Sequence, residues 1–293
     1  MQEHAGERHV LVSFFLTSVG FTVQLVAQEL GLPHIAFISG SDLNRDAASP
    51  AGLAAAAFVV EHATWIVASS QEQVSRLFRR SARCSVSPGA LPAGLPSAYW
   101  EPHAREHVAL VADCGYSFKK ATHSLVEAFA GLRGDGHPAT LTIVGGTDPE
   151  QVDYWRDVRC LWEERFGPTA VFRGHVPKAE VEQLLLDGDI YCSASLGEGS
   201  PQGAMFAMAL GMPVVGPGAS SVADLMDPAR DRVALFRPGD REDFHRCLAE
   251  MLGRVTEDPR APDRERIDAL RQRLRHAEAQ AWTEAMAAVA RAN

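Results

Sequence analysis

The sequence has no apolar run near the roughly 20 residues a helix needs to cross a bilayer, and its opening, MQEHAGERHV, is charged. This argues against a secretory leader and a spanning anchor and points to the cytoplasm, leaving peripheral membrane contact through one face open. Cations are in the minority: 28 Lys and Arg against 37 Asp and Glu, a net charge of −9. Affinity for a phosphate backbone rests on clustered Lys and Arg, so nucleic acid is not an expected partner. The five cysteines (Cys84, Cys114, Cys160, Cys192 and Cys247) include no CxxC pair, which speaks against zinc or dithiol chemistry and for reduced, mostly buried thiols. No HExxH-like spacing links His9, His34, His62 or His123, so these read as ordinary polar side chains and no metal site is expected. VGG at 144–146 lacks the third glycine of a dinucleotide fingerprint. Internal repeats and low-complexity tracts are absent too.

What the sequence does contain is 293 residues, 46% of them hydrophobic, enough to build two domains. Strand and helix patterns alternate along it. HVLVSFFLTS reads as a strand and GFTVQLVAQELG as a helix. LPHIAFISGSD reads as a strand ending in a turn at SGSD, AGLAAAAFVVEHA as a helix, WIVASS as a strand and QEQVSRLFRR as a helix. The Pro-, Gly- and Ala-rich stretch SVSPGALPAGLPSAYWEPHARE (85–106) has no period and reads as an interdomain linker. A second run follows: HVALVAD, ATLTIVGG, AVFRGHV, IYCSAS and MPVVG as strands, alternating with helices, and the charged 263–291 segment as one or two terminal helices. This alternation predicts parallel, helix-covered sheets. The expected division is a first domain over 1–105, a second over 106–272 and a terminal helix over 273–293 that returns towards the first.

Ligands of open parallel sheets collect beyond the carboxyl ends of the strands. GEGSPQGAMFAMALG sits at such an end: Glu198 stands among Gly199, Ser200, Pro201, Gln202 and Gly203 just before an apolar helix. Small residues let the backbone approach a ligand, and the free amides of a helix start favour an anion such as a diphosphate. Lys119 and Lys120 follow another strand, where a lysine can reach a phosphate as a flexible point charge. By itself a lysine pair reads as solvated surface, and GHV at 174–176 as a plain strand-to-helix turn.

Taken in order, these pieces resemble the donor-binding domain of the family 4 group of retaining GT-B glycosyltransferases. VADCGYSFKKATHSLVEAFAGL, TIVGG, VFRGHVPKAEVEQLLLDGDIYCSASLGEGS, AMALGMPVVG and FRPGD carry the resemblance over some 130 residues, while LVSFFLTSVGFTVQLVAQELGLPHIAFISGSDL looks like part of the acceptor-side domain. The resemblance implies an α/β fold of two Rossmann-like domains facing a cleft, the N-terminal one incomplete. It implies a nucleoside diphosphate sugar as substrate and no cofactor or metal. Lys120 matches the lysine on the donor diphosphate and Glu198 the acid beside the donor sugar. Gly174, His175 and Val176 frame the base; Gly199, Ser200, Pro201, Gln202, Gly203 and Phe206 complete the donor side; Ser39 and Asp42 lie on the acceptor side. Three positions depart from the family pattern: Gly115 stands where an arginine usually partners the lysine, Phe206 where a second glutamate binds ribose, and Ser39 where a basic side chain is common.

Two readings follow. One is a working, metal-independent glycosyltransferase that retains configuration and acts on an unknown acceptor. The other is an inactive homologue serving as a binding or regulatory subunit of a partner glycosyltransferase. The few residues ahead of LVSFFLT imply an upstream start, a homo- or hetero-oligomeric partner that completes the cleft, or lost activity.

Overall fold

A computed structural model describes residues 9–38, 40–44, 46–77, 83–87 and 94–292. The chain divides into two compact units, Met1–Ala90 with Leu274–Asn293, and Leu91–Arg273.

The first unit contains β1 (Leu11–Phe14), α1 (Ser18–Leu30), β2 (His34–Phe37), α2 (Gly40–Asn44), α3 (Pro50–His62), β3 (Trp65–Ala68), α4 (Gln71–Leu77) and β4 (Cys84–Val86). Its strands form one parallel sheet in chain order. Side chains alternate across a strand, and here neighbours go to opposite cores. Ala36 and Ile66 pack with Leu16, Ala56 and Val59 on one face, whereas Ile35 and Val67 pack with Ala281, Ala285 and Val289 on the other. Both faces are covered, as parallel sheets require. His34 is buried and satisfied, its ring nitrogens bonded to Ser13 Oγ at 2.9 Å and Gln24 Oε1 at 2.8 Å, and burial holds its pKa down at about 4.

The second unit contains β5 (Val108–Ala112), α5 (Thr122–Gly134), β6 (Ala139–Ile143), α6 (Val152–Phe166), β7 (Ala170–Phe172), α7 (Lys178–Leu186), β8 (Ile190–Cys192), α8 (Gln202–Leu210), β9 (Val214–Pro217), α9 (Ser221–Leu225), β10 (Val233–Phe236) and α10 (Arg241–Glu257). From the central β5, strands β6 and β7 extend one way and β8, β9 and β10 the other, all parallel. This is the doubly wound order, and its switch point lies between β5 and β8. Leu110, Leu141 and Ile143 of the sheet pack with Leu125 and Phe129 of α5 and with Phe244, Leu248 and Met251 of α10. Every residue of α8 from Ala204 to Leu210 is buried, which its apolar and small composition on all sides allows.

Several expected elements differ. SGSD does not end in a turn: Gly40 opens α2. The strand expected over AVFRGHV stops at Phe172, so Gly174, His175 and Val176 lie in the connection to α7. The supposed linker over 85–106 is partly ordered by packing: Ser85 and Val86 pair with β3, and Trp100 is buried, its amide donating to Leu210 O at 2.8 Å and its indole to Gly188 O at 2.7 Å. The terminal segment is one helix, α11 (Arg264–Ala292), and among the described residues no helix is long and apolar enough to cross a membrane. Cys192 and Cys247 are buried, but Cys84 and Cys114 are half-buried and Cys160 is exposed, so the thiols are less enclosed than their composition suggested.

Candidate functional site

Lys120 and Glu198 stand in the loops after β5 and β8, the two strands that meet at the switch point. Lys120 Nζ lies 2.5 Å from Glu198 Oε1, and Ser195 Oγ donates to the same oxygen at 2.9 Å. Leu196 N–H donates to Lys119 O at 3.0 Å, so the two loops are tied side chain to side chain and backbone to backbone. Burial pulls the Lys120 ammonium pKa down, but the charge and hydrogen bond of Glu198 outweigh it, with Cys114 and Asp113 adding to them, so the pKa is raised. The β5–α5 loop is itself fixed by Lys120 N–H donating to Ser117 Oγ at 3.2 Å and Thr122 Oγ1 donating to Gly115 O at 3.0 Å.

Gly115, the position at which an arginine was expected, has φ +64°, and a Cβ built on it would come within 2.3 Å of Gly146 O. Positive φ and a backbone carbonyl in the way leave no space for a side chain. Its amide donates to Val144 O at 2.9 Å, so this glycine docks the loop onto the end of β6.

His175, Val176, Gln202, Gly203 and Phe206 come together around a cavity of about 300 Å3. Phe206 forms an apolar wall with Lys178 Nζ 5.1 Å from its ring centroid. The other predicted donor-side residues do not line this cavity. Gly174 O accepts from Gly145 N–H at 3.0 Å, Gly199 O from Ser221 N–H at 3.1 Å and Pro201 O from Met205 N–H at 3.0 Å, while Ser200 Oγ accepts from Gln202 Nε2 at 3.0 Å. Ser39 lies outside the described residues. Asp42, expected on the acceptor side, is fully buried in the first unit, and its Oδ1 accepts the Leu16 N–H at 2.9 Å. That carboxylate braces the β1–α1 loop rather than facing an acceptor.

Asp113 was missed. It ends the strand run HVALVAD and lines the same cavity, accepting Tyr191 Oη–H at 2.7 Å. A Cβ on Gly203 would lie 2.0 Å from Asp113 Oδ1, so the carboxylate occupies the start of α8 only because that position is glycine. Burial raises the Asp113 pKa, against the Tyr191 hydrogen bond and Lys120, which lower it. The available signal was an acid at a strand's carboxyl end; nothing in the sequence said that this end faces α8. Among the described residues no cluster of three or more His, Cys, Asp or Glu is placed to hold a metal ion.

A lysine–glutamate pair at the switch point, beside a cavity floored by a helix start, is an arrangement suited to an anionic, nucleotide-like ligand. Sequence comparison agrees: residues 105–254, just over half the chain, match the family described as glycosyl transferases group 1. The chain belongs to this family. No curated protein matches it in sequence. Among solved structures, a sucrose-phosphate synthase from Thermosynechococcus elongatus superposes with a TM-score of 0.72 at 16% identity, over 95% of this chain and 74% of that one. Anabaena HepE in complex with UDP and glucose gives 0.63 at 17% identity, over 96% and 76%. The lipopolysaccharide outer core galactosyltransferase WaaB gives 0.64 at 16% identity, over 90% and 71%. At these identities the likeness establishes the α/β fold with parallel sheets of GT-B glycosyltransferases, which this member of the family adopts.

Proposed function

We propose that this group 1 family member transfers a sugar from a nucleoside diphosphate sugar to an acceptor with retention of configuration and without a metal ion. The pairing of Lys120 with Glu198 beside the 300 Å3 cavity carries the reading. His175, Val176 and Phe206 give the base and ribose an apolar seat, and the positive end of the α8 dipole favours the diphosphate. Lys120 exchanges its contact with Glu198 for the departing phosphates, neutralising charge as it develops; this is electrostatic catalysis by preorganised groups rather than attack by a side chain. Glu198, released from the lysine, faces the sugar and stabilises positive charge on it. The UDP and glucose held by the HepE neighbour make uridine the first base to test.

A second reading, a non-catalytic binding or regulatory subunit, is favoured by two observations. Gly115 leaves no room for an arginine side chain, and Asp113 adds a second carboxylate close to Lys120. Calorimetry with UDP, GDP, ADP and dTDP sugars, paired with donor hydrolysis assays, separates the two. The enzyme reading expects binding of one donor in the range of about 1 µM to 1 mM and turnover abolished by Glu198→Ala. Absence of binding to all four overturns it in favour of the subunit.

A further inference from the structure

A second concavity, of about 490 Å3, opens in the same unit at the carboxyl ends of β5, β8 and β10. It is distinct in character from the nucleotide-sized cavity, because three of its large apolar side chains are solvent-exposed: Phe118 at 51%, Tyr154 at 45% and Leu196 at 51%. The rings are held rather than loose. Phe118 stacks parallel on His123, with centroids 5.4 Å apart and planes 5° apart, and Tyr154 Oη meets His123 Nε2 at 2.8 Å. Burial keeps the His123 pKa below its ordinary value of 6.5, against Glu127, which raises it, so at neutral pH the stack carries no charge. The rim is polar: Glu127 and Arg241 form an ion pair at 2.8 Å, and Asp240 stands next to it.

Flat, fixed aromatic faces beside carboxylate and guanidinium groups match a ligand with an apolar face and a hydroxyl edge, the surface a pyranose ring presents. The arginines at and beside this rim are already paired with carboxylates, Arg241 with Glu127 at 2.8 Å and Arg237 with Asp240 at 3.5 Å, which disfavours a phosphate or another anion. Both catalytic loops run into this groove: Phe118 lies two residues before Lys120, and Leu196 two residues before Glu198. We propose that the groove is a binding site for a neutral oligosaccharide, with Phe118 and Tyr154 as stacking platforms and the Glu127–Arg241 pair bonding hydroxyls. Its use as the acceptor subsite rests on the transfer reaction proposed above; glycan binding itself does not.

Saturation-transfer NMR on the full chain with maltotriose, cellotriose and chitotriose reads the site, with UDP calorimetry run in parallel. At least one trisaccharide is expected to receive saturation from aromatic protons. Its affinity falls by roughly tenfold or more in Phe118→Ala/Tyr154→Ala, and UDP affinity is unchanged. Both side chains are about half exposed, so the variant is expected to fold, which an unchanged far-UV circular dichroism spectrum checks. Absence of transfer to all three sugars, or binding that survives the double substitution, overturns the proposal. So does loss of hydrophobic-dye binding in the variant without any sugar bound, which marks a protein-docking surface. Sugar binding without UDP binding leaves the groove standing and removes the donor reading instead.

Discussion

Asp113 shows how one half-buried acid bears on the groups around it. Its carboxyl group is held between Tyr191 and the start of α8, and burial raises its pKa above the ordinary 3.8. The sign follows from proton linkage: the folded state holds this proton more tightly than the unfolded chain. Stability therefore falls as pH rises from 3.8 through the folded value, and the penalty persists at neutral pH. Asp113→Asn keeps an acceptor for Tyr191 and removes the charge. It is expected to raise the urea midpoint at neutral pH, by an amount that shrinks as pH falls towards 3.8. Equal or lower stability at neutral pH would contradict this account. Glu198 stood out in the sequence through its glycine-flanked helix start, whereas Lys120, one of a lysine pair that by itself reads as solvated surface, was singled out only by the family resemblance. Asp113 has no local signature, since its role exists only where Gly203 leaves room for it.

At the scale of elements, the β5–α5 connection decides what can stand beside Lys120. Gly115 and Gly145 face each other with positive φ, and a Cβ on Gly145 would come 2.5 Å from Gly115 N, so two backbones occupy the space a side chain would need. Introducing an arginine there as Gly115→Arg is therefore expected to destabilise the protein by about 2 kcal/mol or more and to leave UDP affinity no better. Thermal unfolding with parallel calorimetry checks it; a stable variant with tighter UDP binding would show that the loop can open. Periodicity made most elements readable: alternating Ile35 and Ala36, or Ile66 and Val67, serve two cores, and the all-round apolar α8 is buried. It failed where packing overrides composition. SGSD looks like a turn but begins α2, and the Pro-rich 85–106 stretch looks loose but carries Trp100 into the second unit. The pair β10 and α10 went unassigned, although Asp240 caps α10 by accepting Asp243 N–H at 3.0 Å and Phe244, Leu248 and Met251 lie at helical spacing.

At the scale of the molecule, each unit has its own core, and α11 belongs to both. Its first part anchors in the second unit, where Arg271 Nε donates to Ala209 O at 2.8 Å, and its last part lines the first unit's sheet through Ala281, Ala285 and Val289. Ala285 is fully buried there, so Ala285→Asp places an unpaired charge in that core. Hydrogen exchange is expected to show lost protection in β2 and β3 of the first unit, while β5, β6 and α5 of the second keep theirs. Uniform loss across both units would mean that they unfold as one.

The sequence by itself determined the layer type, most of the order of strands and helices and the membership of the glycosyl transferases group 1 family, because apolar periodicity and short-range motifs are properties of neighbouring residues. Only the tertiary structure decided which loops meet. The doubly wound order brings the ends of β5 and β8 together, and with them Lys120 onto Glu198, Asp113 onto Gly203 and Phe118 towards Leu196. These coincidences join residues some 78 to 90 positions apart, a separation over which no local pattern survives and strand order alone sets proximity.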